Sequence, residues 1–140
     1  MIGVSLICHG GMAEGIRDSV GLIIGRQEYF NVLGLFEGND FDKFKEDVFN
    51  TIKNSDDGNG VAVFVDMMGA SPYNAVSMNI GRLKENNIPV RVISGANLPM
   101  LIETFLQRDT VDNIEVLYKI SLEAGQGSIK ELFDELGLHP

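Results

Sequence analysis

Four short apolar runs, separated by segments whose apolar residues recur at helical spacing, constrain this chain more than any other feature. The clearest is Val61-Ala62-Val63-Phe64-Val65, uninterrupted until Asp66. Continuity without alternation is the mark of a strand covered on both faces. Ile2 to Cys8 is a similar run that ends at His9-Gly10-Gly11, and Asn31 to Phe36 and Pro89 to Ile93 supply two more. Between the first two runs, Met12, Ile16, Val20, Ile23 and Ile24 form a helical stripe, with Arg17 and Asp18 on a more polar face. Asp40 predicts an N-cap for a helix through Ile52, and Ser71-Pro72 predicts a helix start with Ser71 as the cap, running to about Glu85. Further helices are expected from Leu98 to about Leu106 and from Val111 to Ala124.

Strands alternating with helices in this order predict an α/β fold: a doubly wound three-layer sandwich with helices on both faces of a mostly parallel sheet. Four strands in a compact chain favour the order 2-1-3-4. The segment from Ser128 to Leu136 is ambiguous, since Ile129, Leu132, Phe133 and Leu136 fit either a helix or an edge strand. No repeat, linker or low-complexity stretch divides the 140 residues, so one domain over 1–140 is expected.

Composition removes several function classes. Twenty Asp and Glu against 11 Lys and Arg give a net charge of −9, which argues against a nucleic-acid partner. Cys8 is the only cysteine, so neither an intrachain disulfide nor a multi-thiolate metal site is available, and a reducing cytoplasm suits the chain. No window approaches the roughly 20 apolar residues of a membrane span, and the amino terminus has no basic n-region. Phosphate loops of the G-x-x-x-x-G-K-[ST] type and dinucleotide loops of the G-x-G-x-x-G type are missing, so no nucleotide cofactor is expected. His139 lies far along the chain from His9, and no metal site is expected either.

Ligands of open α/β sheets sit beyond the carboxyl ends of the strands, where the strand order reverses. With strands one and three adjacent, that crevice collects His9 and Asp66. The glycines after His9 let the backbone turn and leave the imidazole uncovered. A carboxylate that accepts one ring N–H fixes the tautomer and supports charge on the other nitrogen, which makes the pair a candidate nucleophile and orienter. Phosphorus is the natural electrophile, because phosphoryl transfer needs in-line placement and hydrogen-bond donors for the equatorial oxygens. The amides of Gly10 and Gly11 and the helix start at Ser71 are candidate phosphate contacts. Asn74 and Asn97 read as turn or cap residues, and Cys8 as a small core residue. Met67-Met68 fits either core or a pliable surface for a protein partner.

Three blocks carry a resemblance: Leu6-Ile7-Cys8-His9-Gly10, then Val65-Asp66-Met67-Met68-Gly69-Ala70-Ser71-Pro72-Tyr73-Asn74-Ala75, then Ile93-Ser94-Gly95-Ala96-Asn97-Leu98-Pro99-Met100-Leu101. In this order they resemble the enzyme IIA component of the mannose/fructose/sorbose family of the bacterial phosphoenolpyruvate-dependent sugar phosphotransferase system. The resemblance implies a phosphohistidine carrier that accepts a phosphoryl group from phospho-HPr on His9 and passes it to the IIB component. It further implies that Asp66 bonds the other ring nitrogen and that Ser71 lies against the phosphoryl oxygens. A homodimer with an exchanged C-terminal edge strand is also implied, along with a cytoplasmic location and attachment to a membrane permease only through IIB. With no fused IIB domain in the chain, the acceptor is expected to be a separate polypeptide. Two other readings share this fold class: the phosphotransfer subunit of dihydroxyacetone kinase, and a non-enzymatic flavodoxin-like regulatory or ligand-binding module.

Overall fold

A computed structural model describes all residues from Met1 to Pro140. In chain order the elements are β1 (Gly3–His9), α1 (Met12–Ile24), β2 (Phe30–Leu35), α2 (Phe41–Ser55), β3 (Val61–Val65) and α3 (Ser71–Met78). They continue with α4 (Ile80–Glu85), β4 (Val90–Ile93), α5 (Leu98–Gln107), α6 (Ile114–Gly127) and α7 (Leu132–Leu136). The four strands form one sheet in the order β2-β1-β3-β4, and every pairing is parallel.

Each face of the sheet buries its own apolar layer, which is why the central strands read as unbroken apolar runs. Val4, Leu6 and Cys8 of β1 and Ala62 and Phe64 of β3 point to a cluster closed by α1, α5 and α6. Ile7, Val61, Val63 and Val65 point to the opposite cluster, closed by Phe44, Val48, Phe49 and Ile52 of α2 and by Ala75, Val76 and Leu83 of α3 and α4. Asp40 caps α2 as expected, its carboxylate accepting from the Lys43 amide at 2.9 Å.

One expectation needs correction. The helix expected from Ser71 to about Glu85 is broken at Asn79, which is buried and donates from Nδ2 to the carbonyls of Ala75 and Lys45, both at 2.9 Å. A side chain that satisfies a carbonyl of the preceding turn and one from α2 together competes with the regular helical ladder. The C-terminal segment, which fits either a helix or an edge strand in the sequence, is helical within the single chain. Residues 132–136 form the short helix α7, whose first turn is capped by the Glu131 side chain accepting from the Asp134 amide. No helix is long and apolar enough to cross a membrane.

The layering gives a direct stability contrast. Phe64 is fully buried and Leu136 is 60% exposed. Phe64→Ala is expected to cost about 3–5 kcal/mol, and Leu136→Ser to stay within about 0.5 kcal/mol, in urea unfolding of the dilute protein.

Candidate active site

β1 and β3 run side by side, with Ile7 paired to Val65, so both chains leave the sheet at the same edge within two residues. His9 ends β1 and Asp66 follows β3 directly. One carboxylate oxygen, Asp66 Oδ2, accepts from the His9 main-chain N–H at 2.8 Å and lies 2.7 Å from His9 Nδ1. The imidazole is thereby held at its Nδ1 edge, and Nε2 has no partner in the chain. The His9 side chain is 48% exposed and that of Asp66 10% exposed. Burial pushes the Asp66 carboxyl up. The hydrogen bonds from the His9 main chain and ring, with the ring's charge, outweigh burial and leave the group below the usual aspartate range. Its second oxygen, Oδ1, is buried without a hydrogen-bond partner.

The chain turns immediately after the histidine. Gly10 has φ +54°, a left-handed conformation that costs glycine nothing, and its N–H donates to the Leu35 carbonyl at 2.7 Å. That amide is committed to β2, so Gly10 supplies the turn and not a free donor. The open donors lie one step further on. Gly11 precedes α1 with no side-chain cap, and the amides of Gly11, Met12 and Ala13 have no backbone acceptor. An uncapped helix start beside the imidazole presents N–H groups and partial positive charge to an anion.

Ser71 also departs from expectation. The cap position belongs to Ala70, with Ser71 and Pro72 inside the first turn, and no side chain caps α3. The exposed Ser71 hydroxyl therefore has no internal partner. Asn97 caps α5 by accepting from the Met100 amide at 3.1 Å, and Asn74 Nδ2 donates to the Gly69 carbonyl at 3.1 Å, so both act as turn or cap residues. Burial, with a smaller push from the Asp66 charge, raises the Cys8 thiol to about 12, which keeps it protonated and unreactive. No group of His, Cys, Asp and Glu side chains is arranged to hold a metal ion.

The His9 site is an open rim. The largest cleft, about 620 Å³, lies along the C-terminal half of α1 against Phe30 and Asn31 at the other end of β2. The family described as "PTS system fructose IIA component" matches residues 3–121. The chain belongs to that family. The "PTS system mannose-specific EIIAB component" of Escherichia coli K12 is 29% identical over 131 residues, covering 94% of this chain and 39% of that protein. The chain thus spans about two fifths of that relative's length. The "PTS system fructose-specific EIIA component" of Bacillus subtilis is 25% identical over 129 residues, 88% of this chain and 86% of the relative. Among solved structures, the phosphotransferase system component EIIA from Streptococcus agalactiae superposes with a TM-score of 0.84 at 25% identity, covering 96% of this chain and 99% of that one.

One residue of this candidate site escapes sequence reading. Gly34 of β2 pairs with Cys8, and a Cβ built on it would stand 2.3 Å from the Gly10 carbonyl oxygen and 2.8 Å from the Phe36 ring. The His9-Gly10 turn therefore rests on bare backbone. Only the register of β2 against β1 reveals this; a glycine interrupting an apolar run is the single hint in the sequence.

Two outcomes follow from this geometry. Gly34→Ala forces the Gly10 carbonyl to move and is expected to cost about 1–3 kcal/mol, with amide shifts concentrated at residues 9–12 in ¹⁵N spectra. The Asp66 carboxyl titrates lower in the folded chain than in the unfolded one, so its contribution is present above the ordinary aspartate range and is lost as pH falls through the depressed value. The acid limb of the stability profile is expected to flatten in Asp66→Asn, as read by urea unfolding at several pH values.

Proposed function

We propose that the chain is a phosphohistidine carrier of the sugar phosphotransferase system, a single IIA domain over residues 1–140. On this reading it takes a phosphoryl group from phospho-HPr and passes it to a IIB protein during sugar uptake. The observation that carries the reading is the 2.7 Å contact of His9 Nδ1 with Asp66 Oδ2 on a half-exposed ring whose Nε2 has no partner in the chain. With the Nδ1 proton donated to the carboxylate, the lone pair sits on Nε2 and the attacking nitrogen is fixed.

The transfer balances without a cofactor. The Nε2 lone pair forms a new N–P bond as the N–P bond to the donor histidine breaks, and the donor nitrogen leaves with that bond's electron pair. The His9 ring keeps its Nδ1 proton throughout, and the positive charge that develops on the imidazole is met by Asp66. The open amides of Gly11 and the first turn of α1 and the unpaired Ser71 hydroxyl receive the equatorial oxygens. Gly10 contributes by turning the chain. Handing the group to the acceptor histidine reverses these steps.

The resemblance also carries a homodimer, for which the exposed Ile129, Leu132, Leu136 and Leu138 offer an apolar surface. A cytoplasmic location with membrane contact only through IIB completes the reading.

The test is phosphoryl uptake from phosphoenolpyruvate through enzyme I and HPr. Wild type is expected to acquire one acid-labile phosphate and His9→Ala none; label retained in His9→Ala removes the assignment. Asp66→Asn is expected to slow uptake by roughly 10–100-fold with the fold intact, since orientation of the imidazole is what it loses. An unchanged rate removes Asp66 from the reaction.

A further inference from the structure

The largest cleft of the molecule takes part in no step of the relay. It lies between the C-terminal half of α1 and the start of β2, with Arg17, Asp18, Arg26, Gln27 and Asn31 placed around Phe30. At about 620 Å³ it falls in the size range of small-molecule sites. Phe30 pairs with Val4 and Leu35 with His9, so the cleft stands about 16 Å along the sheet from the imidazole.

Arginine pairing sets this end of the fold apart. Arg17 is held by Glu14, Arg82 by Glu46 and Arg91 by Glu115, whereas Arg26 and Arg108 have no carboxylate within ion-pair distance. Arg26 is exposed on the cleft wall. Arg108, only 3% exposed, stands behind that wall: Nη2 donates to Gln27 Oε1 at 3.5 Å and Nη1 to the Ile2 carbonyl at 3.4 Å. Its guanidinium also lies 5.0 Å from the Phe105 ring, which packs on Phe30 at 4.8 Å. Asp109, Glu28 and Asp57 act on Arg108 through their charge, from beyond ion-pair reach. On the open side, Asn31 commits Nδ2 to Ser55 Oγ at 3.0 Å and leaves Oδ1 without a partner, and Asp18 makes no ion pair. The cleft therefore offers one free guanidinium, backed by a buried cation, and two kinds of free acceptor.

We infer that this cleft binds a small phosphorylated sugar, with Arg26 taking the phosphate and Asp18 and Asn31 Oδ1 accepting from the sugar hydroxyls. A guanidinium fork matches two phosphate oxygens at once. Arg108 adds attraction across the low-dielectric wall without touching the ligand. The Asp18 carboxylate and Asn31 Oδ1 need donors, which a polyhydroxy compound supplies at several points. An aromatic ligand would leave both unpaired, and a wall this polar gives it little to pack on. The site stands whether or not the carrier reading does, since it shares no side chain with the His9 rim.

The experiment is titration of the full ¹⁵N-labelled chain with glucose 6-phosphate and with fructose 1-phosphate. At least one ester is expected to give saturable shifts confined to residues 17–31, with Kd below about 1 mM. Inorganic phosphate and glucose are each expected to bind at least about 10-fold more weakly, because each meets half of the site. Arg26→Gln is expected to weaken the ester by about 10-fold or more. A Cβ on Gly21 meets nothing within 4 Å, so Gly21→Leu fills cleft space without disturbing α1 and is expected to abolish binding. Arg82→Gln and His9→Ala are expected to keep the wild-type affinity. Absence of saturable shifts with both esters up to about 10 mM overturns the inference, as does equal affinity for inorganic phosphate. Unchanged binding in Arg26→Gln and Gly21→Leu, or loss in His9→Ala or Arg82→Gln, overturns it too. Phosphoryl uptake through HPr is read on the same wild-type sample. A chain that takes up the group and binds no ester loses the cleft site alone; one that binds ester and takes up none loses the carrier reading alone.

Discussion

A single carboxylate oxygen ties the end of β1 to the end of β3. Asp66 Oδ2 accepts both the main-chain N–H and the ring Nδ1 of His9, so backbone and side chain are fixed by the same atom. The arrangement depends on the parallel pairing of two adjacent strands that end together at the sheet edge. A shift of one residue in that register would carry Asp66 to the other face and leave the imidazole unheld. Everything at the site is therefore only as well placed as the β1-β3 ladder, and that ladder lies in the driest part of the molecule, between the two apolar layers.

The rest of the rim is built from chain that leaves the sheet. Gly10 folds back onto β2 through its hydrogen bond to the Leu35 carbonyl, and the bare surface of Gly34 lets it lie flat. α1 and α3 both begin at this edge without side-chain caps. Of the other helices, Asp40 caps α2, Asn97 caps α5, Asn113 caps α6 and Glu131 caps α7, while α4 continues from α3 at Asn79 without a side-chain cap. The two uncapped starts at this edge, those of α1 and α3, leave backbone donors uncommitted beside His9.

Much of this was legible from the residue order. The unbroken run Val61 to Val65 could only be a strand covered on both faces, and the strand-helix alternation restricted the sheet to a parallel one. Once the order 2-1-3-4 followed, the meeting of His9 and Asp66 was a matter of topology. What stayed hidden depended on contacts between distant segments. The break at Asn79 requires the Lys45 carbonyl of α2, and the commitment of the Gly10 amide requires the register of β2. Ser71 reads as a cap because serine before proline usually is one, and the structure moves the boundary by one residue. In the C-terminal segment local propensity won: with the Glu131 cap at its start and Gly137 at φ +65° behind it, residues 132–136 close a helical turn.

The connecting segments 10–11, 36–40, 66–70 and 94–97 at the His9 edge of the sheet hold no lysine or arginine, which has an energetic consequence under the proposed carrier function. A doubly charged group clamped by guanidinium or ammonium would rest in a deep well, and the bond to it would be slow to give up. Neutral amides and a hydroxyl hold more weakly, next to a carboxylate that adds repulsion. Under the proposed carrier function, a phosphoryl group held this way would be bound weakly and could move onward or back with little driving force. Tenacity is traded for turnover.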